Sequence, residues 1–209
     1  MTIRLDYTNM MAPPIDGGIT DAEWRDVASR FAEAHTAVAG EHATGTLGFL
    51  DLPDDRALHQ QTLDYVGRVK ASAGAVTDVV VLGIGGSALG PIALRTSLRP
   101  PQWNLLDDAA RGGEPRLHVL DNVDPANISS LLGRLDLRRS LFVVISKSGG
   151  TAETMAQYLV VRARLNEVLG EAGARERLVL VTDPQKGALR SIARKENICL
   201  LYTSDAADE

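Results

Sequence analysis

The stretch Leu141-Phe142-Val143-Val144-Ile145-Ser146-Lys147-Ser148-Gly149-Gly150-Thr151-Ala152-Glu153-Thr154 decides the fold. Its first five residues form an apolar run rich in β-branched side chains, the pattern of a strand buried on both faces. Beyond it Tyr158, Val161, Leu165 and Val168 recur at helical spacing, so a helix follows. Between the two lies a turn of hydroxyls, two glycines and one lysine. Glycines let a backbone approach a ligand closely, and the first N–H groups of a helix have no internal partner. Those donors, the helix dipole, the hydroxyls of Ser146, Ser148 and Thr151 and the Lys147 ammonium can converge on one anion. The plainer reading of the same residues is an ordinary helix cap beside a surface lysine.

Working outward, Val79–Leu82, Leu117–Leu120 and Leu178–Val181 are further strand candidates, with a fifth starting at Asn197-Ile198. Helices are expected over residues 88–98, after the N-cap and first-turn pair Asp124-Pro125, after the central turn, and over 186–195. Residues 102–115 read as an exposed loop. Strands alternating with helices predict an α/β fold: a three-layer αβα arrangement around a parallel, doubly wound sheet of about five strands. Ligands of such sheets bind at the C-terminal strand ends near the switch point, where the turns 83–90 and 146–151 both fall.

Ahead of the sheet, residues 1–19 form an irregular lead-in containing Pro13-Pro14 and Gly17-Gly18. Thr20-Asp21-Ala22-Glu23 has capping-box spacing, and Trp24, Val27, Phe31 and Val38 mark one face of a helix ending near Gly40. Leu58, Thr62, Val66 and Val69 suggest a second helix ending before Gly74. The expected division is a helical arm over 1–45, the sheet domain over 46–198, and a non-native tail over 199–209. That tail, from Cys199 to Glu209, resembles a translated sequencing-library adapter.

The 209 residues are 44% hydrophobic and 23% charged, the balance of a soluble globular chain. Aromatic residues are only 4%, too few for a base-stacking platform, and the net charge of -5 argues against nucleic acid or an anionic membrane as partner. A single cysteine, Cys199, fits a reducing compartment, and no secretory leader or spanning run is evident, so a cytoplasmic location is expected. The four histidines show no metal-ligand spacing, and neither metal nor cofactor is expected. Gly83-Ile84-Gly85-Gly86-Ser87-Ala88 nominally matches a dinucleotide fingerprint, but no acid stands about 20 residues on to hold a ribose. Neither turn has the Gly-Lys-Ser/Thr of a Walker loop, and Ser87 is not set in a nucleophile elbow.

Taken together, Gly83-Ile84-Gly85-Gly86-Ser87-x-Leu89-Gly90-Pro91 and Ser146-Lys147-Ser148-Gly149-Gly150-Thr151-x-Glu153-Thr154 resemble the glucose-6-phosphate isomerase family. Asn122-Val123-Asp124-Pro125 between them is similar to the same family, and the resemblance covers roughly 45–198. It implies the flavodoxin-like sugar-isomerase (SIS) fold. It also implies interconversion of glucose 6-phosphate and fructose 6-phosphate through a cis-enediol, without metal or cofactor. Carried over by motif, Gly86 and Ser87 lie at the sugar-phosphate site, and Ser146, Lys147, Ser148, Gly149, Gly150 and Thr151 form the phosphate cradle. Glu153 matches an acidic position near the active centre with an indirect role. The family's catalytic glutamate base, histidine and lysine lie in later motifs that are missing here, and the histidine crosses a homodimer interface. The expectation is a fragment that binds a sugar phosphate without turning it over, part of a homodimer when full length. The alternative is a non-catalytic SIS module sensing a sugar phosphate. Residues 1–74 lack the basic recognition helix that a regulator of that kind needs.

Overall fold

Five short apolar runs become the strands of one parallel sheet in the computed structural model, which describes residues 4–13, 15–71 and 76–202. The strands are β1 (Asp78–Leu82), β2 (Arg116–Leu120), β3 (Ser140–Ile145), β4 (Leu178–Thr182) and β5 (Cys199–Tyr202). Their order across the sheet is β2-β1-β3-β4-β5, every neighbour parallel. The α/β, doubly wound expectation is borne out, including the strand count. Pro14, Gly74 and the tail from Thr203 onward lie outside the described residues.

The connecting helices are α3 (Gly86–Leu98), α4 (Pro125–Leu132), α5 (Ala152–Glu176) and α6 (Ala188–Glu196). Parallel crossovers are right-handed. The step from β1 out to β2 therefore sends α3 to one face, and the returning steps send α4, α5 and α6 to the other. The core agrees: Val80, Leu82, Phe142, Val144 and Leu180 pack in one buried cluster with Ile128 and Leu132 of α4, Tyr158, Val161 and Leu165 of α5, and Leu189 and Ala193 of α6. The remaining helix of this unit, α2 (Arg56–Ala71), has no buried residue, and Tyr65, Val66 and Val69 line a groove with Val79 and Leu141 of the sheet. Within α5, Gly170 leaves helical geometry at φ +70°, so two helical pieces meet there.

The chain divides into two compact units, Met1–Leu50 and Asp51–Glu209. The first holds α1 (Asp21–Ala43), whose capping box forms as expected: the Thr20 hydroxyl accepts from the Glu23 N–H, and the Glu23 carboxylate accepts from the Thr20 N–H. The helix runs three residues past Gly40, and its apolar side chains Trp24, Val27, Phe31 and Val38 are all exposed. Trp24 stacks on Tyr7 at 5.5 Å between ring centres.

Residues 102–115 depart from the exposed loop expected. Trp103 and Arg111 are buried. The Asn104 side chain donates to the Leu117 carbonyl at 2.9 Å and accepts from the Leu117 N–H at 3.0 Å. At Leu117 it supplies to edge strand β2 the backbone pairing that a neighbouring strand would have given.

The N-terminal edge of the sheet is closed by a charge network. Asp78 has no exposed surface. Its carboxylate accepts both Arg116 guanidinium bonds at 2.8 Å and the Thr77 hydroxyl at 2.9 Å, and His118 Nε2 lies 3.0 Å away. Burial pushes its pKa up, but the bonds from His118, Arg116 and Thr77 and the Arg116 charge outweigh burial and hold it well below the carboxylate range. A group depressed in this way contributes stability fully above its unfolded pKa of about 3.9 and loses it as pH falls through the folded value. Asp78→Asn is therefore expected to cost about 1.5–3 kcal/mol at pH 7, toward the lower end because Arg116 is partly hydrated. Urea unfolding at a series of pH values checks this: the gap to the parent chain narrows below pH 4, and an unchanged gap at pH 2 refutes the account.

Candidate functional site

Strand β1 connects outward to β2, while β3 pairs on the other side of β1, so the sheet reverses direction between β1 and β3. Helices leave these two strands on opposite faces, and a crevice opens at their C-terminal ends. The register Leu82↔Val144 brings the turn from Gly83 to Gly85 beside the turn from Ser146 to Thr151, one strand spacing apart. Gly86 and Ser87 open α3 at this crevice. Gly86 is exposed, Ser87 is half-buried, and the Ser87 N–H donates to the Ile84 carbonyl at 3.1 Å.

The second turn gathers three of the expected hydroxyls. Ser146 is buried, and its Oγ lies 3.0 Å from Thr151 Oγ1 and accepts the Gly149 N–H at 3.1 Å. Ser148 Oγ, exposed, lies 3.5 Å from Thr151 Oγ1 and accepts the Gly150 N–H at 3.3 Å. Lys147 is half-buried, Gly149 buried and Gly150 exposed. Glu153, exposed, sits in the first turn of α5.

Thr151 is the N-cap of α5 but makes no side-chain capping bond, because its hydroxyl is turned to Ser146 and Ser148. The N–H groups of Ala152 and Glu153 are orphan donors at the positive end of the helix dipole. At α4, by contrast, Asp124 closes the end by accepting the Ala126 N–H at 2.8 Å. An uncapped terminus ringed by hydroxyls and a lysine suits a group with concentrated negative charge and several acceptor atoms.

Two supports were not evident in the residue pattern. Gln157, fully buried, donates from Nε2 to the carbonyls of Leu120 at 3.1 Å and Asn122 at 2.9 Å, tying α5 to the Asn122–Pro125 turn. A polar residue beside Tyr158 on an apolar helix face is the signal that could have found it. The second support is the β4–α6 turn. Thr182 Oγ1 and the Asp183 N–H reach the Lys147 carbonyl at 3.5 and 3.2 Å, and the Leu189 N–H reaches the Gly149 carbonyl at 3.0 Å. The Asp183 carboxylate accepts the N–H groups of Gln185 and Lys186, and these bonds hold its pKa below the usual range against its burial. Among the described residues, no group of three or more His, Cys, Asp or Glu side chains is placed to hold a metal ion, and no helix is long and apolar enough to cross a membrane.

Comparison with known proteins gives a consistent family. A family model for phosphoglucose isomerase matches residues 46–197. A glucose-6-phosphate isomerase of Rubrobacter xylanophilus is 42% identical over 199 residues, covering 95% of this chain and 44% of that protein. Among solved structures, a hypothetical protein of Thermus thermophilus superimposes with a TM-score of 0.70 at 36% identity, covering 87% of this chain and 40% of the other. A glucose-6-phosphate isomerase from Chlamydia trachomatis superimposes with a TM-score of 0.56 at 27% identity, covering 72% of this chain and 26% of the other. The chain thus spans less than half the length of each.

The two glycines of the turn are not equivalent. Gly149 has φ +66°, and a Cβ there would lie 2.8 Å from Thr182 Oγ1, whereas a Cβ on Gly150 meets nothing within 4 Å. Gly149→Ala is expected to lower stability by about 1–3 kcal/mol, and Gly150→Ala to change it by no more than about 0.5 kcal/mol. Paired denaturant unfolding curves check the contrast; equal effects would refute it.

Proposed function

The chain belongs to the phosphoglucose isomerase family, and from that premise we propose that it binds the phosphate of glucose 6-phosphate and fructose 6-phosphate at the Ser146–Thr151 turn, with Gly86 and Ser87 completing the site. The observation that carries the reading is the uncapped start of α5, with the hydroxyls of Ser146, Ser148 and Thr151 gathered around it at the β1/β3 switch point. In this reading the orphan N–H groups and the three hydroxyls donate to the phosphate oxygens. The Lys147 ammonium balances the charge. The site needs neither metal nor cofactor, because every interaction with the ester is a hydrogen bond or a charge pair.

The reaction proposed for the whole enzyme is aldose–ketose isomerisation. A base removes the proton from C2 of the open aldose while O1 gains one, giving a cis-enediol; the base then returns its proton to C1 as O2 loses its own, giving the ketose. Anchoring the phosphate fixes where C1 and C2 lie relative to that base, the entropic part of the catalysis. Glu153, exposed in the first turn of α5, serves indirectly through the field at the helix start rather than as the base. We place the enzyme in the cytoplasm as a homodimer, acting on small sugar phosphates and not on nucleic acid or membrane.

Calorimetric titration with fructose 6-phosphate tests the reading. Binding is expected for the parent chain, with unphosphorylated fructose failing to compete and inorganic phosphate competing. Lys147→Ala is expected to weaken binding by about 1.5–3 kcal/mol, the worth of a bond to a charged group; unchanged affinity would make Lys147 a bystander. In a coupled assay the purified 209-residue chain is expected to show no isomerisation, since a missing positioned base alone removes roughly 10²–10⁴-fold in rate. Substantial turnover would show that the base lies within these residues.

A further inference from the structure

We propose that the turn joining β4 to α6, residues 183–187, is a positioning element that aims the backbone amides of the 146–151 turn, with Gly187 and Asp183 as its working residues. The proposal rests on the reading of the 146–151 turn as the phosphate site, and it concerns residues that touch that turn from behind.

The geometry follows from peptide planarity. In a trans peptide the carbonyl and the N–H of the next residue point in opposite directions. The Lys147 carbonyl is held by the Asp183 N–H at 3.2 Å and by Thr182 Oγ1 at 3.5 Å, so the Ser148 N–H is turned away from β4. The Gly149 carbonyl is held by the Leu189 N–H at 3.0 Å, so the Gly150 N–H is turned away from α6. Three rear hydrogen bonds therefore orient the two amides: the Ser148 N–H faces forward, and the Gly150 N–H meets Ser148 Oγ at 3.3 Å, holding that hydroxyl in the cradle. The Leu189 N–H belongs to the first turn of α6, so that helix commits an orphan donor to the cradle.

Such close approach requires glycine. Gly187 has φ +102°, and a Cβ there would lie 2.5 Å from the Ser148 carbonyl oxygen and 3.2 Å from Gly149 Cα. The oxygen is backbone and cannot swing aside, so a side chain at Gly187 must push the two turns apart. Asp183 sets the path that delivers Gly187 to this contact: its Oδ1 accepts the N–H of Gln185 at 2.6 Å and of Lys186 at 2.9 Å, folding the intervening residues into a tight turn. Neither residue need touch the phosphate.

The test is titration of the 209-residue chain and its variants with fructose 6-phosphate, with amide NMR spectra of the ligand-free proteins. Gly187→Ala and Asp183→Ala are each expected to weaken binding roughly tenfold or more, the order of one misaligned bond to a charged group. Both are expected to shift the Ser148 and Gly150 amide resonances while leaving Gly86 and Ser87 in place. Asp183→Asn keeps the accepting Oδ1 and is expected to bind like the parent. Parental affinity in folded Gly187→Ala and Asp183→Ala overturns the proposal, as does a loss in Asp183→Asn equal to that in Asp183→Ala. Should Gly187→Ala fail to fold, the Asp183 pair decides alone. If the parent chain itself does not bind fructose 6-phosphate, the reading of the site fails and the positioning role falls with it; parental binding with unaffected variants removes the positioning role only.

Discussion

Parallel pairing of β1 with β3 is the constraint from which the site follows. The two strands pair in the register Val80↔Phe142 and Leu82↔Val144, and all four of these side chains are essentially without exposed surface. Each contributes about 1.5–3 kcal/mol by burial. A slip of one residue would turn the whole set to the opposite face of the sheet. The register is thus set by the core, and it places the end of β1 level with the end of β3. Because β1 leads outward and β3 lies on its other side, the adjoining helices depart on opposite faces and leave the strand ends uncovered. The open crevice is a by-product of connectivity. What occupies it is decided by the turn residues.

Those residues are chosen differently from the caps elsewhere in the chain. Where no ligand is in question, helix starts are closed by side chains: Thr20 and Glu23 at α1, and Asp124 at α4. The helices after β1, β3 and β4 begin instead at Gly85, Thr151 and Gly187, none with a side-chain cap, and these three strands are contiguous in the sheet. A glycine N-cap costs only about a few tenths of a kcal/mol against a capping side chain, so the cap forgone by Thr151, whose hydroxyl is turned elsewhere, is the larger loss. The three ends do not share one purpose. The start of α6 is turned inward, its Leu189 N–H taken by the Gly149 carbonyl. The start of α5 faces the crevice with Thr151 committed to its hydroxyl neighbours. Thr151 thus departs from the local rule of helix capping at the turn proposed to hold the phosphate.

What could be read from residues alone follows the range of the interactions involved. Strand and helix identity came through because β-branched runs and helical spacing are local signals, and the Asp124-Pro125 start of α4 was legible for the same reason. The hydroxyl-rich turn was legible because its parts are adjacent in the chain. The start of α3 was misjudged by two residues, since Gly86 carries no helical signal yet is the first residue of the helix. Contacts between distant residues left no mark. Asp78 opens a strand like any surface acid, but Arg116 and His118, 38 and 40 residues away, draw it into a buried network. Asn104 in a polar stretch gave no hint that it finishes an edge strand. Gly187 looks like any turn glycine until its approach to Ser148 is seen.

The two ends of the sheet differ in how their polar groups are engaged. At the N-terminal end the negative charge of Asp78 is matched by Arg116, with His118 and Thr77 filling the remaining acceptor positions. Nothing there asks for a further partner. At the C-terminal end beyond β3, three hydroxyls share protons with one another, the first amides of α5 stand open, and Lys147 adds a cation. The buried carboxylate of Asp183 accepts the amides of its own turn. In the proposed reading, the gathered hydroxyls and the uncapped start of α5 meet an incoming acceptor at the crevice of the sheet. A doubly charged phosphate ester, with three terminal oxygens, suits that reading better than a neutral sugar hydroxyl does.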